Sequence, residues 1–165
     1  MSDWKTLLDR VAGTLGIEEG GGFPGEAVRQ LFDIDKTERL VADGDAASTL
    51  ANTKFWSNPY TYPVQLVRFA VNVDANVTGH ASNIGTVEIY TDDGAGGTPV
   101  LAASVTTDTD APGGGNWVAG VDEVATLTPT NCVVAAGANV FYKQTKGSSG
   151  VAMPLRTFKA RFRRI

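Results

Sequence analysis

His80 is the single histidine in the chain, and histidine is the side chain best suited by its ordinary titration to general-base chemistry at neutral pH. It sits in the polar stretch Thr78-Gly79-His80-Ala81-Ser82-Asn83, so a Ser-His-acid triad would hang on one loop residue. No Gly-x-Ser-x-Gly elbow, no Gly-x-Gly-x-x-Gly after a strand pattern and no Walker loop accompanies it. The Gly-rich stretches precede strand patterns or polar loops rather than helices, so the phosphate cradle of a nucleotide site is not expected. Asp43 and Asp45, Asp92 and Asp93, and Asp108 and Asp110 form acid pairs in expected loops. Oxygen ligands of this kind gather round Ca²⁺ when two loops converge, but none has the EF-hand spacing, and a turn-stabilising role is expected instead. Asp122 and Glu123 are adjacent, which gives no way to establish the roughly 5 to 10 Å carboxyl separation across a cleft that glycoside hydrolysis needs. The expectation is a non-enzymatic chain with no catalytic residue, no metal site and no cofactor.

Residue types suited to binding are more plentiful. Phe55, Trp56, Tyr60 and Tyr62 cluster before a long apolar run, and Trp117 follows a glycine loop. Trp56, Tyr60, Tyr62 and Trp117 offer a ligand platform if exposed, or seal the end of a sandwich if they pack inward. Arg156, Lys159, Arg161, Arg163 and Arg164 give residues 156 to 164 five bases and no acid, whereas residues 1 to 45 hold ten acids against five bases. This asymmetry either joins neighbouring subunits end to end, with the basic segment as an interface, or solvates two surfaces. Nucleic acid is not the expected partner, because the formal net charge is -4 and Phe158 and Phe162 interleave with the bases as core-facing strand residues would. The lone Cys132 excludes an internal disulfide framework and lies in the apolar run Cys132 to Ala135, where it reads as buried packing. Asn76-Val77-Thr78 matches a glycosylation sequon and reads as a polar turn. Met1 is followed by the charged Ser2-Asp3-Trp4-Lys5, and no stretch approaches the roughly 20 apolar residues of a membrane span, so a soluble product without membrane partners is expected.

The elements that must position these residues follow from periodicity. Trp4, Leu7, Leu8, Val11 and Leu15 recur at i, i+3, i+4, i+7 and i+11, which predicts a short amphipathic helix over residues 3 to 15, N-capped by Ser2 and stopped by Gly16. A helix this short needs a surface on which to dock its stripe, so these five residues are candidate partner contacts. Gly20-Gly21-Gly22-Phe23-Pro24-Gly25 predicts a hinge, and Val28, Leu31 and Phe32 suggest a second helical stretch over 26 to 32. From about Arg39 the period changes to alternation. Strands are expected at 39–42, 50–56, 64–73, 86–91, 99–106, 123–128, 132–135, 139–145 and 155–164, the pattern of an antiparallel sandwich or barrel. In the third, Gln65, Val67, Phe69, Val71 and Val73 are expected to face the core, and in the last Phe158, Ala160 and Phe162, with Thr157, Lys159, Arg161 and Arg163 outward. The organisation expected is an N-terminal helical arm over 1–38, with its hinge at 20–25, and a β-sandwich over 39–165.

Several segments resemble a known group. Val41-Ala42-Asp43-Gly44-Asp45-Ala46-Ala47, Tyr62 to Val71, Asp93 to Gly97, Gly114 to Gly120 and Ala135 to Val140 look like the small jelly-roll structural proteins encoded beside virion genes of tailed bacteriophages. The likeness runs over residues 40 to 164. It implies a jelly-roll β-sandwich and a head decoration or cement protein, made in the host cytoplasm and carried on the capsid surface, with the major capsid protein and its own copies in a homotrimer as partners. The alternative is a carbohydrate- or receptor-binding module of a fibre or tail accessory protein.

Overall fold

A computed structural model of the protein describes residues 33–40, 49–92, 97–147 and 151–165, the side chains of 49–52 excepted. The expected arm helix with Trp4, Leu7, Leu8, Val11 and Leu15, the Gly-rich hinge and the 26–32 stretch lie outside the described residues. Those described form a mainly β fold of ten strands: β1 (Asp33–Leu40), β2 (Thr49–Ser57), β3 (Val64–Val73), β4 (Gly85–Thr91), β5 (Val100–Thr106), β6 (Asp122–Val124), β7 (Thr126–Leu127), β8 (Val133–Val134), β9 (Asn139–Lys146) and β10 (Arg156–Arg164). One sheet runs β1-β10-β3-β6 with β8 also on β3, and the other β2-β9-β4-β5-β7. The partners are nested: β1 with β10, β2 with β9, β3 with β8, and β4 with β5. A long ribbon of antiparallel pairs wrapped across two sheets gives this order, and it is that of a jelly roll.

Alternating apolar residues drive the wrapping. Phe69, Val71 and Val73 of β3, Phe158, Ala160 and Phe162 of β10, Val87 and Ile89 of β4, and Val140 and Tyr142 of β9 are buried in one core. Phe158 meets Phe69 of its own sheet edge-on at 5.9 Å and Tyr142 of the facing sheet at 5.1 Å. Each such side chain contributes roughly 1.5–3 kcal/mol by leaving water, so the two sheets are held by a few large contacts. The inward and outward sets predicted for β10 between Thr157 and Arg163 are those observed.

Three expectations on the strands need correction. β1 begins at Asp33 rather than Arg39; its half-buried positions include Lys36 and Glu38, so apolar alternation could not reveal it, and such charges suit an edge strand. In β3 the inward set changes partway, because Val64 and Leu66 are buried together with Phe69, Val71 and Val73. The register with β10 passes from Arg161↔Arg68 to Phe162↔Leu66, and the extra residue, Val67, forms a bulge that exchanges the faces. The single strand expected over 123–128 is split at the buried Ala125: β6 pairs with β3 in one sheet and β7 with β5 in the other. The chain changes sheets there, with the Ala125 amide donating to Phe69 O and the Thr128 amide to Ala102 O.

The loops are fixed by local polar contacts. Asp108 Oδ1 accepts from the Asp110 amide at 2.9 Å, and Gly114 lies so close to the Asp108 carbonyl that a Cβ would sit 1.9 Å from its oxygen, which only glycine avoids. Asp92 accepts from the Asn139 amide and Nδ2 at 2.8 and 3.0 Å. Asn76 Oδ1 accepts from the Ala119 amide at 2.8 Å. Cys132 is buried and its thiol donates to Thr128 O at 3.2 Å, with burial raising its pKa.

Candidate functional site

The outward positions of the β1-β10-β3-β6 sheet assemble a charged face. Bulge and register make Arg68 of β3 and Arg161 of β10 direct cross-strand partners, so two guanidinium side chains leave the sheet side by side. Arg161 donates from Nε and Nη2 to the two Asp35 oxygens of β1 at 2.8 and 3.3 Å. Arg68 donates from Nη2 to Asp122 Oδ2 of β6 at 2.9 Å. Lys159 Nζ and Asn72 Nδ2 both donate to Asp122 Oδ1, at 2.6 and 2.9 Å. The Lys159 ammonium first, then Arg68 and Asn72, hold the Asp122 carboxyl down at about 2 against a smaller upward push from burial. Across four strands the order is therefore Asp35, Arg161, Arg68, Asp122, with Lys159 beside the last two. A groove of about 240 Å³ opens over this face, lined by Asp35, Thr37, Arg68, Lys159 and Arg161 among others.

The basic residues expected at an interface are thus divided. Lys159 and Arg161 stand on this face. Arg163 is half-buried on the same side of β10. Arg164 lies over the Tyr62 ring, 4.2 Å from its centroid. Arg156 is corrected: it is 2% exposed, on the inward side of β10, and donates from Nη1 to Pro154 O, so it presents no cation to a partner.

The aromatic residues are not gathered into one platform. Trp117 is 2% exposed, bridged through its backbone to Val77, and its Nε1 donates to Thr106 O at 3.3 Å; it offers no open ring face. Trp56 packs on Phe162 at 4.5 Å with Lys36 Nζ 5.6 Å from its ring centroid. Tyr60 stacks on Tyr62 at 5.0 Å, and both rings pack against the core. Behind them Asn58, fully enclosed, donates from Nδ2 to the carbonyls of Tyr62, Val134 and Ala135 and accepts from the Tyr60 amide. This corner is built as a seal.

His80 is exposed, and its Nδ1 accepts from the amides of Ser82 and Asn83 and meets the Ser82 hydroxyl at 2.9 Å. The ring clamps its own turn. Among the described residues no group of three or more His, Cys, Asp or Glu side chains is placed to hold a metal ion.

Arg68, Asp122 and Asp35 were not singled out by sequence as one site. Arg68 and Asn72 share a face of β3, and Lys159 and Arg161 a face of β10, so each half was visible; that β10 lies beside β3 was not.

No protein-family model matches the chain, and no curated protein matches it. Among solved structures, one titled "Structure of infectious bursal disease virus Gt strain" is similar at 16% identity and a TM-score of 0.34, covering 79% of this chain and 32% of that one. The chain therefore spans about a third of the length of the solved chain it is similar to.

Proposed function

We propose that this chain is a non-enzymatic structural protein of a virion, a decoration or cement protein that binds the capsid lattice of a tailed bacteriophage as a homotrimer and stabilises the head. The observation that carries this reading is the nested strand pairing of a jelly roll over the residues whose motifs resemble those phage proteins. Two of the motifs have definite places: Tyr62 to Val71 enters and forms most of β3, and Gly114 to Gly120 holds the Val77–Trp117 bridge. A compact sandwich with one charged outer face suits repeated, individually modest contacts on a lattice, which add through effective concentration. Residues 1 to 25, with Trp4, Leu7, Leu8, Val11 and Leu15, supply a second attachment in this reading.

The test is the number of copies in purified virions, by quantitative mass spectrometry against the major capsid protein. A simple ratio to the capsid subunit is expected; a handful of copies, or none, sinks the proposal. Removing residues 1 to 25 is expected to weaken capsid binding while leaving the unfolding midpoint of the sandwich unchanged, read by shell pelleting and by circular dichroism in urea.

A further inference from the structure

The turn that follows His80 is held by a group able to change its charge. The ring Nδ1 accepts from the Ser82 amide at 3.0 Å and from the Asn83 amide at 3.3 Å, and it meets the Ser82 hydroxyl at 2.9 Å. Backbone amides only donate, so Nδ1 is the bare nitrogen and the proton of the neutral ring sits on Nε2. The ring thus fills the place that an asparagine or aspartate oxygen takes in an Asx turn, gathering amides that follow it in the chain. An amide oxygen accepts at any pH, whereas imidazole is the side chain suited to gaining a proton between about pH 8 and 5. With that proton on Nδ1, both ring nitrogens donate. The contact with the Ser82 hydroxyl survives by turning its oxygen to accept; the two amide bonds cannot.

We infer that His80 is a proton-operated latch on residues 81–83: the neutral ring closes the turn and the protonated ring opens it. The neighbouring elements confine the movement. The His80 amide donates to Thr107 O at 3.0 Å and the Gly79 amide to Asn116 Oδ1 at 2.8 Å. Gly79 also lies so close to Gly115 that a Cβ would sit 2.6 Å from its carbonyl carbon. Beyond the turn, the Gly147 amide donates to Ile84 O at 2.7 Å. None of these bonds uses the ring, so both ends of the turn stay docked when it opens. The charged residues of the packed elements are Asp108 and Asp110 on the 107–117 loop and Lys146 at the end of β9, with Asp74 on the same connection as His80. Asp108 Oδ1 is engaged by the Asp110 amide, Lys146 is buried, and the ring contacts given above all lie within the turn itself. What changes with pH is the shape of one surface segment between β3 and β4, in which Ala81 and Ser82 are exposed. The latch does not rest on the assembly role proposed above.

The experiment uses the untagged full chain labelled with ¹⁵N and ¹³C, titrated from about pH 8 to 5 while the ring and the backbone amides are followed by NMR. With one histidine in the sequence, the ring signals belong to His80 alone. The Ser82 and Asn83 amide protons are expected to move upfield in step with ring protonation and to end near their positions in H80A, which has no latch at any pH. H80N keeps an acceptor oxygen without the titration, so its two amides should hold the closed position throughout. Hydrogen exchange separates a change of bonding from the field of the new charge. At about pH 5 the two amides are expected to exchange about tenfold faster in the wild type than in H80N, the factor that one ordinary hydrogen bond corresponds to, and equally at about pH 8. The amide of Ile89, buried in β4, serves as control and should exchange alike in all three proteins. Amides that stay in place while the ring titrates, equal exchange in wild type and H80N at the acid end, or a neutral ring protonated on Nδ1 overturns the inference. A parallel change at Ile89 overturns it too, since the whole fold and not the turn would then be loosening.

Discussion

The two sheets share a core but differ on their outer faces. On the β1-β10-β3-β6 sheet the outward positions are charged, and Asp35, Arg161, Arg68, Asp122 and Lys159 are tied across four strands. On the β2-β9-β4-β5-β7 sheet they are mainly hydroxyl and aromatic: Thr86 meets Thr106 at 2.9 Å, Tyr90 lies opposite Phe141, and Glu88 joins Tyr90 and Lys143. Neutral cross-strand pairs stabilise a sheet with little dependence on pH or salt, whereas an exposed charge network depends on both. The core thus specifies the fold, and the outer faces specify what each side answers to.

The largest effect is expected where that distinction disappears. Phe158 is fully buried and touches Phe69 in its own sheet and Tyr142 in the other. Phe158→Ala is expected to destabilise the protein by about 3–5 kcal/mol, measured from the urea midpoint at constant m-value. If the loss were under about 1 kcal/mol, the sheets would not depend on this contact and the common core would be the wrong frame.

Asn58 tests the corner next to the charged sheet's β8. Its amide satisfies three carbonyls, including those of the buried Val134 and of Ala135. Asn58→Ala leaves them without that donor in a dry place and is expected to lower stability by about 2 kcal/mol, again by urea unfolding. Asn58→Asp should lose at least as much, since the carboxylate cannot donate to those carbonyls.

Much of this contrast was legible in the sequence. The span of β3 was predicted residue for residue, and the alternation of β10 separated Phe158, Ala160 and Phe162 from Lys159, Arg161 and Arg163, because period-2 patterning reports burial directly. The inward face of β3 was half misread: nothing local marks Val67 as a bulge, which arises only from pairing with β10. The same long-range pairing hid Asp122, which lies one residue before the strand expected at 123–128 and which β6 places against Arg68 and Lys159. The sequence leaves Trp117 open between a ligand platform and inward packing, because only the long-range bridge to Val77 carries it inward.

The charged face is expected to respond to acid through Asp122. Its carboxyl is lowered from the ordinary 3.8 to about 2 in the folded protein, so its contribution is fully present above about pH 4 and is lost as pH falls through about 2. Allowing for solvent screening of a half-exposed network, the loss is roughly 1 kcal/mol. Asp122→Asn should remove that part of the acid dependence while Phe158→Ala leaves it in place. A wild-type and an Asp122→Asn profile of the same shape between pH 4 and 2 would show that the network does not stabilise the fold.

The smallest effect belongs to the other face. Lys143 lies 3.5 Å from Glu88, and Glu88 also accepts from the Tyr90 hydroxyl at 3.1 Å. Glu88→Gln removes the charge but keeps an oxygen for Tyr90, so stability should change by no more than about 0.5 kcal/mol. The phenol supplies a more sensitive reading. Burial first, and then the Glu88 charge and hydrogen bond, raise the Tyr90 pKa; in Glu88→Gln the charge is gone and burial stays. The phenolate absorbance should therefore titrate at lower pH than in the wild type, though still above the ordinary tyrosine value. A full return to that value would mean that Glu88, not the packing of Tyr90 among its strand neighbours, sets its environment, and that this face is as electrostatic as the first.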